Sequence, residues 1–292
     1  MSSSSAMIFQ SMLGQIGRLS RKETLSILSS AHELYANQRS NVVLVNEAKK
    51  LTVCGDIHGQ YSDLLQIFKL NGAPSKTNPY LFNGDFVDRG PNSLECISTL
   101  LLHKLIDPSS MFLNRGNHEL VEMNSYYGFK DELKGDNELF QRFNDLFDLL
   151  PLAHVVNGKH FVVHGGVPRY ENVSLADLEG GDHRLFSDLL WNDPSDKDGI
   201  HPSERGSACC RFGPDITRAF LDKNGLKSLI RSHEVVANGV RVSQNGLCRT
   251  VFSASNYCGG TNLGGYIVIG CSEDDQLSQH TFSVPPRVRS KL

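Results

Sequence analysis

Leu51-Thr52-Val53-Cys54-Gly55-Asp56-Ile57-His58-Gly59 is a run of four apolar and β-branched residues that breaks into a polar turn flanked by glycines. Such a run, bounded by glycine, reads as a short buried strand. The pattern returns twice. Tyr80-Leu81-Phe82 breaks into Gly84-Asp85-Phe86-Val87-Asp88-Arg89-Gly90, and Met111-Phe112-Leu113 breaks into Gly116-Asn117-His118-Glu119. Between the strands the apolar residues take helical spacing. A helix from Tyr61 is expected to turn Leu64, Leu65, Ile67 and Phe68 inward, and the next to turn Leu94, Ile97, Leu101 and Leu105. Strand, glycine-rich turn and helix, three times over, is βαβαβ and implies a mostly parallel sheet.

Outward from this stretch, Arg21 to Gln38 carries a helical stripe of Leu25, Leu28, Ala31, Leu34 and Tyr35, and Asn137 to Leu150 carries another. In the later half, Leu152 to Val156 and His160 to Val163 flank Asn157-Gly158, a strong hairpin signal. Short strands recur near Leu229, Val240, Val251 and Ile267. The expectation is an α/β domain over 21–283, with two sheets packed face to face and helices outside. Residues 1–20 read as a flexible N-terminal segment and 284–292 as an extended tail.

Composition narrows the chemistry. The 292 residues are 39% hydrophobic and 21% charged with a net charge of −3, so nothing argues for disorder, nucleic acid or an anionic membrane. No apolar run approaches a membrane span, and Met1 to Ala6 lacks the features of a secretory signal. The seven scattered cysteines, Cys209-Cys210 among them, read as ordinary thiols in a reducing, intracellular setting. Trp191 reads as core packing. The dinucleotide, P-loop, zinc-protease and serine-hydrolase motifs are absent, and no cysteine has an arginine six positions later. Carboxylates, histidines and metals remain.

Those residues gather at strand ends, where open α/β sheets bind ligands. Asp56 and His58 follow the first strand; Asp85, Asp88 and Arg89 the second; Asn117 and His118 the third. His164 and His233 follow later strands. Mixed oxygen and nitrogen donors without sulfur suit manganese, iron or zinc. Six candidate ligands exceed the needs of one catalytic ion, and two ions sharing Asp85 fit better. Magnitude agrees. Phosphate monoester hydrolysis needs up to about 10²¹-fold acceleration, roughly 28 kcal/mol. General acid–base catalysis supplies only ~10²–10⁴-fold, and paired metals can supply more.

Gly-Asp-Ile-His-Gly, Gly-Asp-Phe-Val-Asp-Arg-Gly, Arg-Gly-Asn-His-Glu, His-Gly-Gly and Arg-Ser-His-Glu, in that order, resemble the PPP family of metal-dependent serine/threonine protein phosphatases. The resemblance runs from about Arg21 to Phe282. Asn78 to Phe86 and Arg231 to Val235 favour its protein phosphatase 5 branch. It implies a calcineurin-like metallophosphoesterase fold, two mixed β-sheets in a central sandwich with flanking helices. It also implies two divalent ions per chain, manganese foremost. Asp56, His58 and Asp85 would hold the first, and Asp85, Asn117, His164 and His233 the second. His118 would be the general acid oriented by Asp88, and Arg89 and Arg205 would grip phosphate. Asn117 would reach the phosphate too, with Tyr257 lining the pocket. The implied reaction is in-line attack on phosphoserine or phosphothreonine of phosphoprotein substrates by a hydroxide bridging the metals, with no phosphoenzyme.

Three departures from the family pattern stand out. Ser255 replaces the usual proline, implying a less rigid loop. One extra residue between Arg205-Gly206 and Phe212-Gly213 leaves Arg211 as an alternative to Arg205, which is preferred because it precedes Gly206. The stretch 259–263 is shortened and lacks acidic residues, which should alter inhibitor and substrate preference before chemistry. The roughly twenty residues before the first helix do not match the tetratricopeptide segment of that branch, so an autonomous catalytic domain is expected. Rival readings are another dinuclear metallophosphoesterase, such as a dinucleoside tetraphosphate hydrolase, or an inactive phosphate-binding scaffold. Asp88 and the Ser253 to Cys258 segment favour the protein phosphatase. Ser290-Lys291-Leu292 matches the receptor-read peroxisomal address, so binding to the peroxisomal import receptor and a peroxisomal or glycosomal location are expected.

Overall fold

The computed structural model describes residues 3–270 and 276–285. Leu51–Cys54 pairs in parallel with Tyr80–Phe82, which pairs in parallel with Met111–Leu113. These are the three strands of the repeated pattern. Gly264–Ile269 runs antiparallel along the other side of Leu51–Cys54 and carries Leu277–Phe282 at the edge, giving a mixed five-stranded sheet.

The second sheet is six-stranded, in the order Val42–Val45, Ala153–Val156, His160–Val163, Ser228–Arg231, Cys248–Val251, Val240–Ser243. Its hairpin forms where expected, with Asn157 and Gly158 both in the left-handed region (φ 53° and 64°), as a type I′ turn requires. Leu51, Val53, Leu81 and Ile267 from the first sheet meet Val156, Val162, Ile230 and Val251 from the second in one buried cluster. That cluster is the filling of the expected sandwich. The helices Tyr61–Asn71 and Ser93–Ile106 cover the outer face of the first sheet.

The structure departs from the sequence reading at several points. Ser3–Leu13 is a helix packed on Ser93–Ile106, with Phe9 and Met12 buried in the same core as Ile27 and Leu28. The expectation of a flexible segment over 1–20 therefore fails for these residues, and two apolar anchors at helical spacing are the reason. Leu65, expected inward, is 47% exposed, whereas Leu64 and Ile67 are fully buried. At 100° per residue Leu65 lies off the stripe that Leu64, Ile67 and Phe68 share. A small third sheet, Asp193–Pro194, Cys210–Phe212 and Ile200–Pro202, was not expected; its strands are too short and polar to show a period. The Ser290-Lys291-Leu292 terminus lies outside the described residues. Among the described residues no helix is long and apolar enough to cross a membrane.

Candidate active site

The turns after the strands converge at one end of the sandwich. Asp56 bridges to Phe252, the residue after Cys248–Val251, and Ser253 N–H donates to the Asp56 carbonyl at 3.1 Å. The ends of both sheets are therefore stitched together where the polar residues gather. His58, Asp85, Asp88, Arg89 and His233 all sit at positive φ (45° to 72°), a region costly for side-chain-bearing residues. This turn strain aims the side chains at a common point. Gly116 must be glycine, because a Cβ there would lie 2.3 Å from Asp85 Oδ1.

Asp56, His58, Asp85, Asn117, His164 and His233 are all buried. His58 Nδ1–H donates to the Val87 carbonyl (2.9 Å), which leaves the Nε2 lone pair facing Asp85 Oδ2 (3.5 Å) and Asp56 Oδ2 (3.8 Å). His164 Nδ1–H donates to the Asn83 carbonyl (2.8 Å). Its Nε2 meets Asn117 Oδ1 (2.9 Å), His233 Nδ1 (3.2 Å) and Asp85 Oδ1 (3.4 Å). Asp85 thus turns one carboxylate oxygen to each of two clusters. Potential ligand atoms of Asp85, His58 and His118, and of Asp85, His164 and His233, each lie within 4.8 Å of one another.

The donor chemistry passes a test of fit for two divalent ions. Oxygen and nitrogen donors surround both points, and the Nδ1–H groups of His58 and His164 are directed away to backbone carbonyls, while His233 Nε2 is buried without a partner. Burial, and then the charge of Asp85, push the Asp56 carboxyl up to about 6. Burial opposes charge on His164, yet Asp85 and Asp56 outweigh it and raise the imidazole to about 9. Burial opposes charge on Asp85 too, yet the His164, His118 and His58 charges hold it well below its usual range, so its charge leaves the raised Asp56 short of a cation. Loading the metal-free protein with Mn²⁺ at a hundredfold excess over the dissociation constant should therefore stabilise it by ~2.7 kcal/mol for each site filled. A melting midpoint that ignores Mn²⁺ would contradict this fit.

Beside this cluster, His118 Nδ1 lies 2.6 Å from Asp88 Oδ2, and the other Asp88 oxygen accepts the Phe129 N–H (2.9 Å). Burial disfavours the imidazolium, but Asp85 and the Asp88 hydrogen bond prevail and hold His118 above its ordinary range. Arg89 stacks on Tyr127, its guanidinium carbon 3.8 Å from the ring centroid. Arg205 Nε donates to Asp193 Oδ2 (2.6 Å) and Nη2 to the His233 carbonyl (2.9 Å). A cavity of about 280 Å³ brings Arg89, Arg205, Asn117, His118 and Tyr257 together over Asp56, His58, Asp85 and His233. Arg211, the alternative to Arg205, does not line it and donates instead to the Pro194 carbonyl.

Several contributors escaped the sequence reading. Glu119 accepts backbone N–H bonds from Asp85 and Phe86 (both 2.8 Å) and Gly116 (2.9 Å), pinning the second and third turns together. Its signal was in plain sight as the last residue of Arg-Gly-Asn-His-Glu. Trp191 packs on the core but also faces the cavity, edge-on to His233 at 5.6 Å. Arg231, fully buried, holds the far oxygen of Asp193 (2.7 Å) and so fixes the anchor of Arg205. Ser255 corrects the expectation of a looser loop. Its hydroxyl donates to Asp63 Oδ1 (2.6 Å) and accepts the Val284 N–H (3.1 Å), tying the Tyr257 loop to two other segments.

Residues 49–237 match the family model for calcineurin-like phosphoesterases, and the chain belongs to that family. Within it, the similarity is to serine/threonine phosphatases. The chain is 49% identical over 229 residues to serine/threonine-protein phosphatase T of Trypanosoma brucei brucei, covering 75% of this chain and 48% of that one. It is 44% identical over 284 residues to human serine/threonine-protein phosphatase 5, covering 93% and 57%. The chain thus spans about half the length of these curated relatives. A solved protein serine/threonine phosphatase of Saccharomyces cerevisiae, with similarity to human phosphatase PP5, superposes with a TM-score of 0.88 at 38% identity. That match covers 97% of this chain and 96% of the other.

Proposed function

We propose that this protein is a serine/threonine protein phosphatase whose catalytic unit uses two divalent ions, with manganese, iron or zinc suited to the donor set. The observation that carries the reading is Asp85 presenting its two oxygens to two separate groups of buried ligands, beside a histidine–carboxylate pair. His58, Asp56 and Asp85 would hold one ion, and Asp85, Asn117, His164 and His233 the other. When bound, the ions supply Lewis acidity that lowers the pKa of water and neutralises phosphate charge.

The chain's own residues do the rest. Arg89 and Arg205 bind phosphate oxygens, a task suited to planar guanidinium groups, and their supports on Tyr127 and Asp193 hold them in place. Burial pushes the Tyr257 phenol up, so it remains a neutral donor beside them. His118 gives its proton to the departing serine or threonine oxygen, and Asp88 orients the ring and supports its charge. A substrate has room beyond the phosphate. Arg89 also lines an adjoining groove of about 350 Å³ between 59–63 and 255–259, which suits a peptide better than a small phosphoester. Turnover of a phosphoserine peptide should exceed that of a dinucleoside tetraphosphate by at least ~10²-fold in kcat/KM. The reverse preference would install the rival metallophosphoesterase reading.

A pH prediction follows for Asp88→Asn. The general acid must be protonated, and Asp88 raises the His118 pKa, so removing the carboxylate lowers it. The alkaline limb of the kcat profile should move down by ~1 unit or more, with the acid limb unmoved. An unchanged alkaline limb would separate Asp88 from His118 ionisation.

For location, we propose that Ser290-Lys291-Leu292, where it carries the free carboxyl terminus, directs the chain to peroxisomes or glycosomes through the import receptor. A fluorescent protein fused ahead of the chain should become punctate and turn diffuse on Leu292→Asp; diffuse signal in both would remove the idea.

A further inference from the structure

Far from the catalytic cavity, at the sandwich edge where Met111–Leu113 of one sheet approaches Val42–Val45 and Ala153–Val156 of the other, lies a second cavity of about 320 Å³. Its walls are largely apolar, with Val43, Phe112 and Leu149 among them, but Lys104 and Tyr35 also line it. Lys104 is 7% exposed, near the end of the helix Ser93–Ile106. Its ammonium donates one hydrogen bond, to the Pro108 carbonyl (2.9 Å), and lies 5.0 Å from the Phe112 ring centroid. No ion pair among the described residues includes it. The Asp107 carboxylate forms no ion pair with it, its Oδ1 accepting the Ser109 N–H (3.0 Å) and hydroxyl (2.6 Å), although its charge offsets part of the burial cost of the ammonium. The Tyr35 hydroxyl is buried without a hydrogen-bond partner.

A buried ammonium with one hydrogen bond made, held over the Tyr35 and Phe112 rings (5.9 and 5.0 Å to the centroids) on a wall that also carries the unpartnered Tyr35 hydroxyl, is costly unless something supplies acceptors. The helix C-terminus offsets part of the cost. Burial lowers Lys104 to about 8, so it still carries its proton at neutral pH. His154, on the cavity wall, is driven to about 3 first by burial and then by the Lys104 charge, and adds no second cation.

We propose that this cavity is a binding site for a small monocarboxylate with a compact apolar body. The carboxylate would pair with Lys104 and Tyr35, and the apolar body would lie on Phe112, Val43 and Leu149. One unpaired positive charge calls for one negative charge, and the apolar wall selects against inorganic anions. The site stands apart from the phosphatase reading and does not depend on it.

The test uses the full chain and benzoate as probe, followed by calorimetry. Wild type should bind one benzoate saturably, and the neutral analogue benzamide should bind at least ~10-fold more weakly. Lys104→Met, whose circular dichroism checks the fold, should weaken benzoate at least ~10-fold, and Tyr35→Phe should weaken it severalfold with no lysine changed. No saturable binding to wild type would overturn the site. So would equal affinity for benzamide, or unaltered affinity in Lys104→Met, since benzoate held at the catalytic centre would not respond to Lys104.

Discussion

His118→Asn should lower kcat on a phosphoserine peptide by ~10²–10⁴-fold, the range a positioned general acid supplies, while bound metal per chain stays as in wild type. The expectation rests on what each His118 atom does. Nδ1 is committed to Asp88 at 2.6 Å, and the backbone N–H, which any residue keeps, donates to Asp85 Oδ1 at 2.9 Å. Asparagine preserves that backbone contact to the shared carboxylate and can still donate to Asp88, so the ion site keeps its shape. What disappears is a proton that can be delivered to a departing alkoxide. Serine is a poor leaving group and needs it, whereas p-nitrophenolate does not, so the loss on p-nitrophenyl phosphate should be markedly smaller. His118 does lie within 4.8 Å of His58 and Asp85 in ligand geometry, which makes the control informative. Metal lost in step with activity would recast His118 as a ligand.

The chemistry was legible in the sequence because it sits in the turns. Each of the three strands of the repeated pattern is short, wholly apolar or β-branched, and runs into a glycine-bearing turn, so Asp56, Asp85 and Asn117 could be placed at strand ends without coordinates. His164 and His233 were harder to place by pattern, since their strands belong to the other sheet, and only the ordered motifs joined them to the group. What remained hidden depends on contacts between distant segments. Nothing local to Asp193 shows that Arg205 and Arg231 approach its two oxygens from 12 and 38 residues away. Arg205 and Arg211 look equivalent in sequence, and only the fold separates the one in the cavity from the one bonded to Pro194. The serine-rich start hid Phe9 and Met12, and Ser255 read as a loss of rigidity because its partners, Asp63 and Val284, lie 192 and 29 residues away. Long-range satisfaction of polar groups is the part a single sequence carries least openly.

Asp85→Asn should abolish binding of both ions and reduce turnover more than His118→Asn does, beyond ~10⁴-fold, because the burden left by acid–base catalysis falls on the metals. The paired effect is what distinguishes a bridging ligand from an ordinary one. Asp85 Oδ2 faces the His58 lone pair at 3.5 Å and Oδ1 faces that of His164 at 3.4 Å. Asparagine offers one oxygen and one NH₂, so whichever way the amide turns, one cluster receives a donor where it needs a lone pair. Replacing Asp56, whose Oδ2 faces His58 (3.8 Å) while its Oδ1 accepts the His233 backbone N–H (3.0 Å), should instead empty one position before the other. Stability should fall with activity. Burial opposes charge on Asp85, but the His164, His118 and His58 imidazoles outweigh it and hold the carboxylate well below its usual range, and Asp85 is in turn the main charge that raises His164. Asparagine leaves that buried imidazole without its partner, a loss larger than the relief of repulsion on Asp56. Metal-free Asp85→Asn should consequently melt below the metal-free parent at neutral pH, and gain nothing from added Mn²⁺. Elemental analysis and paired melts with and without Mn²⁺ read both effects; retention of either ion at wild-type affinity would show that Asp85 does not bridge.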